Sequence, residues 1–335
     1  MATIANTPLH IGQGGILAGT NYSGALIPTL WSSKILQAFY AESIYDHISN
    51  TDYEGEIKNF GDTVRINKSP KVTISDYVVG SGFVDTLAQH EQVDLLIDRA
   101  KHFSIPLFDV VEKQSLIPLM TQYSKEAAQA MQDAINADIL VGTSARPGIF
   151  NDVAAANTGA TAGKKTGAYK LGTAAVPLTL GTAAGNSDPM DVILSLAAVL
   201  DEQDIPSNDR WLLIDSATRL QLYSSKILQS YLQADAKQTF PANQIGLIDR
   251  FMTFVTNKLP LVSADGQNYY GGTTTGTKKH RVILAGHKSA LTFAAQIAKT
   301  ETKEMPNDFG KKLVGLSVYG FKVLRPHGLA AAYVL

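Results

Sequence analysis

The sequence predicts an α+β fold: a long helical stretch at 115–141, two alternating stretches before it, and a helix–turn–buried strand–helix block after it. Within 115–141, Leu116, Leu119, Met120, Tyr123, Ala127, Ala130, Ala134 and Ile135 recur three and four residues apart. That spacing lays them in one apolar stripe, and Lys125, Glu126, Gln129, Gln132 and Asp133 fall mainly on the other side. Ser115 can cap the start, Pro118 lies in the first turn where a missing N–H costs nothing, and Gly142 supplies a stop. At about 1.5 Å per residue the helix would run roughly 40 Å, longer than most globular helices. A rod of that length must lie along something extended.

The first 30 residues are rich in Gly, Ala, Thr and Asn and cannot build a core alone, so they read as an arm. Residues 28–47 carry a weak helical pattern through Leu30, Ile35, Phe39 and Ile44. From 57 to 106 the period changes to two. Val64 and Ile66 alternate with Arg65 and Asn67, Val72 and Ile74 continue the pattern, and Val93, Leu95 and Ile97 alternate with Asp94 and Asp98. Phe103 and Ile105 follow, and Gly80-Ser81-Gly82 supplies a bend between the stretches. The simplest shape is a long two-stranded arm, which is marginal in water unless it packs on something else, such as another subunit.

Residues 142–189 lose pattern in Ala, Gly and Thr and read as a surface loop. A helix starts at Asp188-Pro189, with Ile193, Leu196, Ala197 and Leu200 on one face; a turn and the buried strand WLLID follow, then a helix from Ser216. Residues 246–258 return to strand character, Asp265-Gly266 signals a hairpin, and RVILA at 281–285 is a buried strand. HKSALTFAAQIA, from His287, reads as a helix, and 313–319 and 321–324 as two short strands.

Composition narrows the function. Hydrophobic content of 45% and charged content of 18% over 335 residues fit a folded chain of about two domains. A formal net charge of −1 supplies no overall field for nucleic acid or an acidic membrane. With no cysteine, disulfides, thiolate catalysis and cysteine-held metals are excluded. The N-terminus lacks the basic start and apolar core of a signal peptide, and the longest apolar run near the middle, 193–200, is too short to span a bilayer.

Catalytic patterns are missing. None of the seven histidines stands three to five residues from another, and no G-x-S-x-G elbow occurs. GATAGKKTG at 159–167 fails as a phosphate loop, because three residues separate Gly159 from Gly163 and Lys165 stands where Ser or Thr should ligate magnesium. GQGGILAG at 12–19 lacks the dinucleotide spacing. The carboxylate pairs Asp201/Glu202 and Asp94/Asp98 read as solvated faces. No catalytic, cofactor or metal residue is expected. Lys58, Arg65, Lys68 and Lys71 concentrate positive charge on the first strand of the arm, either as a solubilising edge or to dock on a neighbour's acids. Arg65, Lys68 and Lys71, with Asp94 and Asp98, are the candidate inter-subunit contacts.

The order of arm, ribbon, spine-length helix, Gly/Ala/Thr-rich loop, α/β lobe and returning strands resembles the major capsid proteins of tailed bacteriophages, the Hong Kong 97-type coat fold. FGDTVRI at 60–66 looks like the opening of that family's extended loop, and NKLP at 257–260 like a strand end leaving its A-domain. EMPNDFGKKLVGLSVYGFKVLRPHGLAAAYV, from Glu304, looks like the closing stretch that crosses back into the P-domain. The resemblance implies an N-terminal arm at 1–49, an extended loop at 50–107 that overlaps a neighbour, and a P-domain with spine helix at 108–189. It implies an A-domain at 190–297 and a return to the P-domain at 298–335. It also implies pentamers and hexamers in an icosahedral shell that packages double-stranded DNA without sequence specificity, matures by expansion and is assembled in the host bacterial cytoplasm. A separate scaffolding protein, a portal and a decoration protein are the other implied partners, and no membrane is involved. Because the chain begins with Met1 and reaches its ribbon early, a cleaved scaffolding leader is not expected. An encapsulin-like protein compartment and an α/β enzyme without a recognisable motif are the alternatives.

Overall fold

The computed structural model describes residues 44–52, 63–68, 91–109, 119–164 (except 144), 169–224 (except 182 and 184), 244–263, 268–269 and 279–335 (except 307), with isolated positions at 74, 76, 79 and 167. Residues 1–43 of the arm, the cap residues Ser115 and Pro118, Leu116, Lys58, Lys71, Gly80-Ser81-Gly82 and Asp265-Gly266 lie outside the described residues.

A one-turn helix α1 (Tyr45–Ile48) is followed by β1 (Thr63–Lys68), β2 (Glu91–Leu96) and β3 (Arg99–Phe108). The long helix α2 (Leu119–Leu140) comes next, then α3 (Pro189–Glu202), β4 (Arg210–Ile214) and α4 (Ser216–Ser224). Strands β5 (Gln244–Ile248), β6 (Phe251–Val255), β7 (Leu261–Ser263), β8 (Asn268–Tyr269), β9 (Lys279–His287), β10 (Leu291–Glu304), β11 (Gly310–Val323) and β12 (Leu329–Val334) complete the chain. Helix and strand are segregated as the α+β reading requires.

Among the described residues the strands form three sheets: the two-stranded ribbon β1–β2, a three-stranded sheet in the order β10-β11-β3, and a seven-stranded sheet built on β4 and β9. In the largest sheet β4 runs parallel to β6 and antiparallel to β9. β9 is shared: β12 lies along one edge, and β4 and β7 divide the other. Every residue of β4 is buried, because both faces of this sheet are covered. Leu212, Ile214, Ile283, Ala285, Ala330 and Ala332 pack into one core with Ile193, Leu196 and Leu200 of α3. Trp211, Leu213, Val282, Leu284 and Ala331 point the other way, into a second core with Ile135, Ile139 and Leu140 of α2 and Phe293, Tyr319 and Val323 of the three-stranded sheet. The second core is the joint between the two sheets.

α2 is a single helix, as its periodicity predicts, 22 residues long and about 33 Å. Gly142, at φ +67°, ends it in the left-handed region. The stripe is rotated toward its C-terminal end, however. Ala134 is exposed there, and Ile135, Asn136, Asp138, Ile139 and Leu140 are buried instead. Asp188 caps α3 as predicted, accepting from the Met190 N–H at 2.9 Å ahead of Pro189.

Three expectations fail. HKSALTFAAQIA is not a helix: His287 ends β9, a short 3-10 turn follows, and β10 runs for 14 residues paired to β11. Its apolar run fits either period, and pairing with a distant strand decides the matter. The two short strands near the C-terminus are one continuous strand, β11. Nor is 142–189 a surface loop throughout, since Ile149, Ala162, Leu171 and Leu180 are buried in it. It lies along the free edge of β12 and satisfies its backbone: the Tyr333 N–H donates to Leu171 O, the Leu178 N–H to Tyr333 O and the Leu335 N–H to Leu178 O, at 2.8–2.9 Å.

Candidate assembly interface

The ribbon alternates as its sequence predicts, and its two faces meet different surroundings. Ile66, Leu95 and Ile97, with Val64 and Val93, pack on Ala294, Val318 and Leu324 of the same chain. The root of the ribbon is therefore anchored on its own three-stranded sheet, which supplies the support the sequence left open. Gly320 permits this close approach, because a Cβ there would collide with Leu96 O and Ile97 Cα.

The other ribbon face carries Arg65 and Asp94, which lie directly opposite one another, Nε to Oδ1 at 3.0 Å, whereas Lys68 and Glu91, also directly opposite at 3.2 Å, continue the face of Ile66 and Leu95. These charges neutralise one another across the strands within one chain. Asp98 stands apart from them, at the corner where ribbon becomes sheet. Its carboxylate is 3.7 Å from Arg146, whose Nη1 donates to the Asp98 backbone oxygen. Lys71 falls outside the described residues.

Next to that corner is a buried network that sequence spacing gave no means of finding. Arg99 Nη1 reaches Asp138 Oδ1 at 3.0 Å, and Nη2 donates to Pro147 O at 3.0 Å. The Arg99 guanidinium also lies 4.1 Å over the Phe321 ring. The Tyr319 hydroxyl donates to the other Asp138 oxygen at 2.7 Å. Burial, reinforced by its hydrogen bond to Asp138, pushes the Tyr319 phenol well above its ordinary value. Three elements, β3, α2 and β11, meet in this one set of charge-assisted bonds. Asn136, on the same helix, accepts from the Ile44 and Tyr45 N–H groups at 3.2 and 3.3 Å and holds the start of the described chain. The clue was two polar residues, Asn136 and Asp138, on either side of Ala137 inside an otherwise apolar helix end.

A cleft of about 580 Å³ lies between the end of α2 and the seven-stranded sheet, walled by Ala134, Ala137, Leu259, Pro260 and Val282. Its charges are mostly matched, Lys258 to Asp133 at 2.9 Å and Arg281 to Asp215 at 3.3 Å. Among the described residues no group of three or more His, Asp and Glu side chains is placed to hold a metal ion. His287 caps the turn after β9, its Nδ1 2.7 Å from Ser289 Oγ, and burial lowers its pKa. Among the described residues no helix is long and apolar enough to cross a membrane. The geometry offers surfaces and joints.

The phage capsid protein family matches residues 107–332, more than half of the chain. The chain belongs to the phage capsid protein family. Solved structures agree on the fold. A chain from Mycobacterium phage Che8 superposes with a TM-score of 0.64 at 23% identity, covering 91% of this chain and 96% of that one. A chain of the capsid of cyanophage P-SCSP1u gives 0.65 at 18% identity, over 99% of both chains. A chain of the capsid of a native GTA particle gives 0.64 at 12% identity, over 93% and 97%. A comparison with curated proteins finds no match. The fold is the Hong Kong 97-type coat fold, and the chain is a major capsid protein, a structural component of a virion shell.

Proposed function

We propose that copies of this coat protein form pentamers and hexamers that close into an icosahedral shell around double-stranded DNA, packaged without sequence specificity, and that the shell expands on packaging. The observation that carries this reading is the match to the phage capsid family across 107–332, together with a ribbon anchored on its own sheet at one end. Ile74 and Val79, in the stretch between β1 and β2, are 93% and 86% exposed, and in this reading a neighbouring copy covers them. In this reading the A-domain is the seven-stranded sheet with α3 and α4, and the P-domain is α2 with the three-stranded sheet. β3 then belongs to the P-domain, and the tail crosses back so that β12 joins the A-domain. The ribbon is the extended loop and residues 1–49 the arm. Arg65, Lys68, Lys71, Asp94 and Asp98 remain proposed contact residues, the described ones acting by holding the ribbon's shape. Assembly in the host bacterial cytoplasm with a scaffolding protein, a portal and a decoration protein completes the proposal, and the protein has no catalytic role.

Negative-stain microscopy of the expressed protein, alone and with a co-expressed scaffolding protein, tests this. Closed shells of uniform diameter are expected. Small oligomers under both conditions would overturn the reading, and shells filled with a cargo enzyme in place of DNA would point to a compartment.

A further inference from the structure

The cleft at the end of α2 is bounded by strands of both larger sheets. Lys101 of β3 lines it from the three-stranded sheet, and Arg281 and Val282 of β9 line it from the seven-stranded one. Between them the wall is mostly apolar, formed by Ala134 and Ala137 of α2 and by Leu259, Pro260 and Leu261. At about 580 Å³ the cleft has the size of pockets that enclose small organic molecules.

Its charges decide what kind of molecule fits. Asp138 is held by Arg99 and Tyr319, Asp215 by Arg281, and Lys258 by Asp133. Asp215 also accepts from the Thr218 N–H at 2.9 Å. Lys101 is the exception, since it makes no ion pair or hydrogen bond among the described residues although it is half-buried. It stands two residues from Arg99 on β3, on the side that Arg99 uses to reach Asp138. An ammonium held against apolar surface without a counter-charge gains from an anion placed beside it. The acceptors that would draw a cation into the same space are already used. The Ala137 oxygen takes the Val141 and Gly142 N–H groups, the Val141 oxygen takes the Gly148 N–H, and the Asp138 backbone oxygen takes the Arg99 guanidinium. The negative end of α2 is thereby answered by donors of its own chain.

We infer that this cleft binds an amphipathic carboxylate, a fatty-acid-type anion whose chain lies along the apolar wall and whose carboxylate rests on the Lys101 ammonium. A bare inorganic anion would leave the apolar wall wet, and a neutral hydrocarbon would leave the ammonium without a partner. The bound molecule touches β3 of one sheet and β9 of the other, so occupancy stabilises the folded subunit by mass action. The site is built within one subunit and does not depend on assembly.

Titration calorimetry of the full-length protein with decanoate, decanol, decylamine and acetate reads the chain and the charge separately. Saturable binding of one decanoate per subunit is expected, at least about fivefold tighter than decanol, with decylamine weaker still and acetate silent. Decanoate should also raise the melting midpoint. Lys101→Met should weaken decanoate at least about tenfold and leave decanol unchanged, whereas Lys101→Arg should retain decanoate binding. Ala134→Trp, at an exposed position of the wall, should obstruct decanoate and decanol alike without lowering the melting midpoint of the unliganded protein. The inference is overturned if no decanoate binds saturably up to about 1 mM. Decanoate binding that ignores Lys101→Met, or decylamine binding as tight as decanoate, overturns it as well, and an acetate response equal to that of decanoate would reduce the site to a surface charge.

Discussion

Strand β4 is buried at all five positions, whereas β3 alternates between covered and exposed residues along its length. The first lies in a sheet with helices or other sheet elements on both faces, and the second in a sheet backed on one face only. The lobe around β4 completes its core from its own chain. The lobe around β3 leaves a face of lysines, leucine and phenylalanine open.

The sharpest break of this comparison comes from Trp211, 1% exposed in the shared core. Trp211→Ala is expected to destabilise the unassembled subunit by about 3–5 kcal/mol in denaturant unfolding; a loss below about 1 kcal/mol would mean that the lobes do not depend on their joint. Asp138→Ala strips Arg99 and Tyr319 of a shared partner and should cost about 3 kcal/mol by the same measurement. Asn157→Ala removes the amide that donates to His327 O at 2.6 Å and Leu329 O at 2.7 Å, and should cost about 1–3 kcal/mol. Proteolysis should then open the segment along β12 first.

Tyr319 gives a pH signature. Its phenol holds a proton more tightly folded than unfolded, so its contribution is complete below the ordinary tyrosine value of about 10 and declines as the pH rises above it. A thermal-stability profile should therefore fall in that alkaline range, and the Tyr319→Phe variant should lack that part of the fall. At the open face the expected effect on the subunit is smallest. Leu316→Ser should change subunit stability by no more than about 0.5 kcal/mol and still reduce shell yield. A subunit effect as large as that at Trp211 would show that the face is covered within its own chain.

Much of the fold was legible from local pattern. The spacing of Ile193, Leu196, Ala197 and Leu200 and the Asp188-Pro189 start placed α3, and the unbroken apolar run at 211–214 placed a two-sided buried strand. The ribbon's alternation was equally plain. Of the proposed contact residues, Arg65, Lys68, Asp94 and Asp98 were visible as charge in and beside the ribbon strands, but their pairing depends on register, which the pattern alone leaves open. Asp138 was invisible as a partner of Arg99 and Tyr319, because those residues lie 39 and 181 positions away.

By itself, the sequence determined the start of α3 at Asp188-Pro189 and the end of α2 at Gly142, because caps, breakers and side-chain periodicity act within a few residues. It also determined that no thiol chemistry was available to the chain. Only the tertiary structure decided that 291–304 is a strand, that 142–189 covers the edge of β12, and which sheet face stays bare. Each of these depends on hydrogen bonds or packing between segments far apart in the chain, where the nearest available partner, and not local propensity, sets the outcome.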